Sequence, residues 1–264
     1  VSLLQALVLG LFQGVAEFLP ISSSGHLLVF QGLMGLSDVP ALFDVMLHLA
    51  TLASILIVFR KRIGGIIMST VRWIMRTSDD SDAENLAIIP PAALATVVTA
   101  VLGLMINKID LSGSPRIVAG LLLVTAAILL ASTFFRGERS YRQMRWTHGL
   151  LIGLAQGIGV FPGISRSGIT ISAGTATGLN RETAGEFSFL IAIPAILGAF
   201  VLKLKDMGQL SSTIQPLPLA VATVAAFGAG VVSLLILMPI VRKGKLAWFA
   251  AYLIPAGLIG LFLL

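Results

Sequence analysis

Six apolar stretches, at residues 40–60, 85–106, 115–135, 183–204, 216–240 and 246–264, leave this 264-residue chain few ways to fold. Each has roughly the 20 residues that a helix needs to cross a hydrocarbon core. Backbone N–H and C=O groups find no water there, so each stretch must satisfy them internally, as an α-helix does. Only 11% of the residues are charged, against roughly 25% in a soluble domain. The sequence is therefore read as an all-α integral membrane protein. The absence of cysteine excludes disulfides, thiolate metal sites and a cysteine nucleophile. The net charge of +6 does not call for nucleic acid, because the basic residues sit in short loops between apolar segments.

Two further apolar stretches, 1–19 and 146–162, run into Pro or Pro-Gly and then into a serine-rich turn. The first reads Leu7-Val-Leu-Gly-Leu-Phe-Gln-Gly-Val-Ala-Glu-Phe-Leu-Pro-Ile-Ser-Ser-Ser-Gly25, followed by His26. The second reads Leu150-Leu-Ile-Gly-Leu-Ala-Gln-Gly-Ile-Gly-Val-Phe-Pro-Gly-Ile-Ser-Arg-Ser-Gly168. They align without a gap, pairing Gly10 with Gly153, Gln13 with Gln156, Ser22 with Ser165 and Ser24 with Ser167. Matching interrupted segments in two halves of a membrane protein point to its binding site. The pieces that follow, 22–36 and 165–179, are short and rich in Ser, Thr and Gly. Each pair is read as a re-entrant hairpin, one half-helix in and one out. The N-terminal stretch lacks a basic start and holds Glu17, so it is read as part of this fold and not as a cleaved signal peptide.

The expected architecture is one membrane domain, 1–264, built as an inverted-topology repeat of 1–135 and 146–264. Each half holds one hairpin and three transmembrane helices, an odd number that reverses the second half. Charge tests the reversal. Loops assigned to one side carry Arg60, Lys61, Arg62, Arg72, Arg76, Arg136, Arg139, Arg142, Arg145, Arg242, Lys243 and Lys245; the other side has Lys108, Arg116, Lys203 and Lys205. By the positive-inside rule the first set is cytoplasmic. The first hairpin then enters from the outer face and the second from the cytoplasm. The acidic run 77–84 is read as a solvated cytoplasmic loop leading into a helix N-terminus.

The polar residues at the breaks suit an oxyanion. Gln13 and Glu17 are four apart and share a helix face. Ser22, Ser23 and Ser24 open the next half-helix, whose free N–H groups favour phosphate. Ser23 and His26 project from one turn. Ser165, Arg166 and Ser167 open the matching half-helix, with Thr170 one turn beyond Arg166. The guanidinium fork of Arg166 fits a phosphate, and its cost in hydrocarbon argues against an incidental residue. Ser23 is the candidate nucleophile, His26 its base, Arg166 and the helix termini the charge stabilisers, with Ser22, Ser165, Ser167, Thr170 and Gln13 lining the substrate. His48 and His148 are expected to be structural or interfacial.

These stretches resemble the bacterial undecaprenyl-diphosphate phosphatase family of the bacitracin-resistance type. The likeness rests on Gln13-Gly-Val-Ala-Glu17-Phe-Leu-Pro-Ile-Ser-Ser-Ser-Gly-His26, on Pro162-Gly-Ile-Ser-Arg-Ser-Gly-Ile-Thr170 and on Gly178-Leu-Asn-Arg-Glu-Thr-Ala-Gly-Glu-Phe-Ser-Phe-Leu190. Gln13 departs from the glutamate that the family often has there. The resemblance implies an enzyme of the bacterial inner membrane that hydrolyses undecaprenyl diphosphate to undecaprenyl phosphate and inorganic phosphate. That recycles the carrier lipid for cell-wall synthesis and confers bacitracin resistance. It also implies a divalent cation, Mg²⁺ or Ca²⁺, for which Glu17 is the expected ligand, Glu17 alternatively orienting His26. Partners are then a polyprenyl diphosphate lipid and the membrane, with a homodimer left open and no nucleic acid. Two alternatives stay open from the residues. His26 is the nucleophile in one; in the other the same inverted-repeat site moves a lipid phosphate across the membrane as a transporter.

Overall fold

The computed structural model of the chain describes residues 1–27, 41–106, 114–204 and 215–263. Among these the fold is helical, with no strand and a single isolated β-bridge between Arg139 and Leu179. The helices are α1 (Leu3–Ala16), α2 (Ala41–Val58), α3 (Arg60–Ile74), α4 (Ala83–Ala87), α5 (Ile89–Ile106), α6 (Pro115–Ala131), α7 (Trp146–Ile158), α8 (Arg166–Ala176), α9 (Arg181–Leu204), α10 (Pro216–Arg242) and α11 (Ala250–Leu263). Residues 23–27 are also helical. The rest of the expected outward half-helix 22–36 lies outside the described residues, as do Lys108 and Lys205 of the charge argument.

Among the described residues, four helical stretches are long and apolar enough to cross a membrane: Ala83–Ile106, Pro115–Phe134, Arg181–Leu202 and Pro216–Arg242. They coincide with four of the six expected spans. The fifth, α2, is followed after Phe59 by α3 at a bend of 74°. The last stretch is shorter than expected as one helix, because a 3₁₀ turn, Leu246–Phe249, precedes the 14 residues of α11.

Both arms before the breaks are short, as expected of half-helices. Helix α1 has 14 residues and starts at a capping box made by Ser2 and Gln5. Helix α7 has 13 residues. Helix α1 lies along α10, and α7 lies along α5. The approach is close because each contact is made through a glycine. A Cβ on Gly10 would collide with the Ala222 backbone, and one on Gly153 with the Ala95 backbone. Gly10 and Gly153 are matched positions of the sequence repeat.

Helix α3 is a difference from the sequence reading, in which 60–84 is loop. Its exposed face carries Ile67, Met68, Val71, Ile74 and Met75. Its opposite face is polar and pinned. Ser69 is buried and donates to Asp82 Oδ1 at 2.6 Å, and Arg72 forms an ion pair with Asp82. Residues 77–81 of the acidic run are exposed, as expected of a solvated loop, whereas Asp82 has no exposed surface and anchors the run. The Arg72 guanidinium and the Ser69 hydroxyl hold its carboxyl well below the usual carboxylate range. The basic loops gather at this same end. Arg142 donates to the Asp80 carbonyl, Arg62 pairs with Glu84, and Arg242 pairs with Glu182 at 2.6 Å. Tyr141 donates to Glu186 at 3.1 Å beneath the Arg62 guanidinium, and burial and the Glu186 charge push its phenol up.

An apolar cluster lies beneath both breaks. Ala16, Phe18 and Ile21 from the first hairpin pack with Ile171 of α8, Phe189 of α9 and Leu234 and Leu237 of α10. The two polar turns are thereby seated against a common floor.

Candidate functional site

Helix α1 ends where Glu17 caps it, the Glu17 N–H donating to the Gln13 carbonyl at 2.9 Å. One turn of helix thus stacks the two side chains, and Gln13 Nε2 donates to Glu17 Oε2 at 3.1 Å. The chain then reverses through Phe18-Leu-Pro-Ile and re-enters helix at Ser23. Ser22 makes the corner with φ at +70°, a left-handed backbone that costs a non-glycine residue on the order of 1–3 kcal/mol. The corner is braced from the second hairpin, since the Gly163 N–H donates to Ser22 Oγ at 3.0 Å. Gly163 sits in the second turn with φ at +97°, a region that suits glycine.

Helix α8 begins at Arg166 with Ser165 as its N-cap, Ser165 Oγ accepting from the Gly168 N–H at 3.2 Å. The cap fixes the direction in which Arg166 leaves the helix. Its Nη2 reaches across to Glu17 Oε1 in an ion pair between the two hairpins. Ser23 Oγ donates to the other carboxylate oxygen, Oε2, at 2.9 Å. Gln13, Glu17, Ser23 and Arg166 are therefore one hydrogen-bonded group, drawn from the segments at both breaks.

His48 joins this group from α2, where the sequence offers no reason to expect it. Its Nδ1 lies 3.1 Å from Gln13 Nε2 and 3.6 Å from Glu17 Oε2. A lone histidine in an apolar span looks incidental in sequence. No sequence signal marks it: α2 runs beside α1, which brings a mid-span residue level with the end of the half-helix.

His26 occupies a different position. Its Nδ1 is 3.0 Å from the Ser22 carbonyl and its Nε2 is 2.7 Å from the Tyr252 hydroxyl of α11. A carbonyl only accepts, so Nδ1 carries the proton and Nε2 accepts from Tyr252. The two rings stack with centroids 5.5 Å apart and an interplanar angle of 24°. No hydrogen bond joins His26 to Ser23 among the described residues. The remaining predicted residues of the second hairpin are turned inward. The Ser165 N–H donates to Thr125, Ser165 and Ser167 hydroxyls lie 3.3 Å apart, and Thr170 bonds to the Arg166 carbonyl at 2.7 Å and to Ser188.

The donor set does not build a resident divalent-cation site. Glu17 spends one oxygen on Arg166 and the other on Ser23 and Gln13, leaving the buried Gln13 Oε1 as the oxygen without a partner. Among the described residues no group of three or more His, Cys, Asp or Glu gathers. What the site does present is fixed positive charge, a held hydroxyl and two imidazoles near one break in the fold.

A family model described as "Bacitracin resistance protein BacA" matches residues 6–259. An undecaprenyl-diphosphatase of Treponema denticola is 44% identical over 257 residues, 97% of this chain and 96% of that protein. One of Desulfatibacillum aliphaticivorans is 38% identical, covering 94% of each chain. One of Borrelia recurrentis is 35% identical, covering 96% of each.

Proposed function

We propose, from the premise that this chain belongs to the bacitracin resistance protein BacA family, that the site between its two hairpins hydrolyses a polyprenyl diphosphate. The chain is a multi-pass bacterial membrane protein and a phosphatase that converts undecaprenyl diphosphate to undecaprenyl phosphate and inorganic phosphate. It thereby recycles the carrier lipid for cell-wall synthesis and confers bacitracin resistance. The observation that carries the chemical reading is the group of Ser23, Glu17 and Arg166 held together at the break.

In this reading the terminal phosphate enters beside Arg166, whose fork exchanges the Glu17 carboxylate for phosphate oxygens. Ser23 Oγ, oriented by Glu17, attacks the terminal phosphorus. The bond from that phosphorus to the bridging oxygen breaks, and undecaprenyl phosphate leaves with the bonding pair. His26 Nε2 takes the serine proton after giving up the Tyr252 hydroxyl, and its neighbouring position on the same turn makes that exchange local. Water then attacks the phosphoserine phosphorus, the bond to Ser23 Oγ breaks as His26 returns its proton to that oxygen, and inorganic phosphate leaves with both water hydrogens. Arg166 offsets charge on the transferring group throughout. Ser22, Ser165, Ser167 and Thr170 act by shaping and bracing the two turns, and Gln13 by holding Glu17.

A divalent cation, Mg²⁺ or Ca²⁺, belongs to this proposal as the companion of the substrate's diphosphate, with Glu17 the nearest carboxylate. None of the steps above runs through it. The exchange of partners between halves, α1 on α10 and α7 on α5, supports an inverted repeat of 1–135 and 146–264. The gathering of basic loops at one end supports a cytoplasmic assignment for that end and an opening of the first hairpin toward the outer face. Pairing of two copies through lipid-facing helices is compatible with this reading and is read from the mass of the protein–detergent complex.

Hydrolysis and transport of the same lipid separate in proteoliposomes. Phosphate release from undecaprenyl diphosphate by the reconstituted protein supports the phosphatase. Redistribution of intact lipid between leaflets, with no phosphate released, would replace it with a transporter.

A further inference from the structure

Gln13 cannot turn its amide either way round. Its side-chain carbonyl placed against Glu17 would oppose a carboxylate, so the nitrogen must face Glu17, as it does at 3.1 Å. That same nitrogen is 3.1 Å from His48 Nδ1. An amide nitrogen has only hydrogens to offer, so Nδ1 is the acceptor and the neutral ring carries its proton on Nε2. Gln13 keeps this orientation although it leaves Oε1 buried without a partner, an omission that costs about 1–3 kcal/mol. The two donated bonds hold the amide in place against that cost.

The consequence is an N–H donor on the edge of the ring away from Gln13, while the Nδ1 edge faces the reacting group. Glu17 Oε2 accepts from Ser23 Oγ at 2.9 Å and lies 3.6 Å from His48 Nδ1. Serine hydroxyl and imidazole therefore flank one carboxylate oxygen. The His48 side chain is 39% exposed, against 4% for Glu17 and 24% for Arg166. It is the most open of these three, which suits a residue met by an entering ligand.

We infer that His48 is a substrate-binding residue, presented by Gln13 with its Nε2–H outward to donate to the diphosphate of the polyprenyl substrate. The inference rests on the phosphatase reading but concerns binding. Arg166 supplies charge from the second hairpin, and His48 supplies a neutral, directed donor from a helix outside both hairpins. Diphosphate is thus held from three elements, α8, the 23–27 turn and α2.

Two measurements on the full-length protein in detergent test it. The first is nitrogen NMR of protein labelled at its three histidines, with His48 assigned by its loss in His48→Gln. We expect a neutral His48 with the proton on Nε2, and a change at Nε2 when a prenyl methylenediphosphonate is added. A proton on Nδ1, or a His48 signal that does not respond to the bound analogue, overturns the inference. The second is steady-state phosphate release. His48→Ala is expected to raise KM about tenfold, the scale of one hydrogen bond to a charged acceptor, with little change in kcat. His48→Gln, which keeps a side-chain N–H donor, is expected to recover most of that loss. Unchanged KM in His48→Ala, or a loss confined to kcat, contradicts the assignment. Failure of the wild-type protein to release phosphate instead contradicts the phosphatase reading, and the analogue titration still reports whether His48 meets a diphosphate.

Discussion

Arg166 closes on Glu17 across 149 positions of sequence, joining the start of α8 in the second hairpin to the end of α1 in the first. Neither charge is well solvated where it lies, and each is the other's main compensation. The pair explains why two separate turns in the sequence act as one site. It also gives an entering phosphate a definite competitor, since the guanidinium must leave one anion to bind another.

The nature of that cation matters more than its charge. Arg166→Ala is expected to lower kcat by at least about 10²–10³-fold, the scale of removing one preorganised donor to a transferring group. Arg166→Lys keeps the charge without the planar fork, and we expect it to recover only a small part of the rate. Full activity in either variant, measured as phosphate release, removes Arg166 from the mechanism.

The nucleophile is open to direct trapping. A brief reaction with substrate labelled at its terminal phosphate, quenched in acid, should leave acid-stable label on Ser23 and none in Ser23→Ala. Acid-labile label that disappears in His26→Ala would make His26 the nucleophile and Ser23 its support.

Tyr252 is expected to act through His26. Tyr252→Phe keeps the stacked ring and removes the hydroxyl that occupies Nε2. Loss of one hydrogen bond should change kcat by about two- to tenfold with KM unaltered. Tyr252→Ala, which also removes the stacking partner, should cost more. Equal effects of the two variants would show that the stacked ring adds nothing beyond its hydroxyl, and an unchanged kcat in Tyr252→Phe would show that the hydroxyl contributes nothing.

The clamp on α3 has a definite pH signature. The carboxyl of Asp82 is held below its ordinary value of 3.8 by Arg72 and Ser69. A depressed folded-state value means that the stabilisation is complete above 3.8 and is lost as pH falls through the folded value. Hydrogen exchange should therefore show α3 less protected in Asp82→Asn than in the wild type at neutral pH. That difference should persist down to 3.8 and shrink below it. A difference that vanishes between pH 7 and 5 would contradict the assignment.

Much of this fold can be read from residue type and spacing. Long apolar runs have one solution in lipid, and the positions of Pro20, Pro162 and Gly163 mark the breaks. The matched residues Gly10 and Gly153 already announce close helix contacts. Other features depend on geometry that sequence does not carry. Residues 60–76 look like a basic loop when counted by charge, although Ile67, Val71 and Ile74 recur at helical spacing. Their apolar face is outward and their arginines are turned toward Asp82 and Glu84, the reverse of the pattern in a soluble protein. His48 enters the site because α2 lies beside α1, a packing relation with no local mark. Ser165, Ser167 and Thr170 have the right spacing to face a ligand, but in this structure the Ser165 hydroxyl meets the Gly168 N–H and the Ser167 hydroxyl, and the Thr170 hydroxyl meets the Arg166 and Ser167 carbonyls and Ser188. Serine and threonine at a helix start satisfy the fold before they serve a substrate.

The most direct test is inorganic phosphate release from undecaprenyl diphosphate by purified protein in detergent, with and without chelator, beside Ser23→Ala and Arg166→Ala. Cation-dependent release by the wild type, abolished by a change in either hairpin while both variants remain folded, is the predicted result. Release that survives in either folded variant, or none from folded wild-type protein, would contradict a phosphatase site shared between the two hairpins.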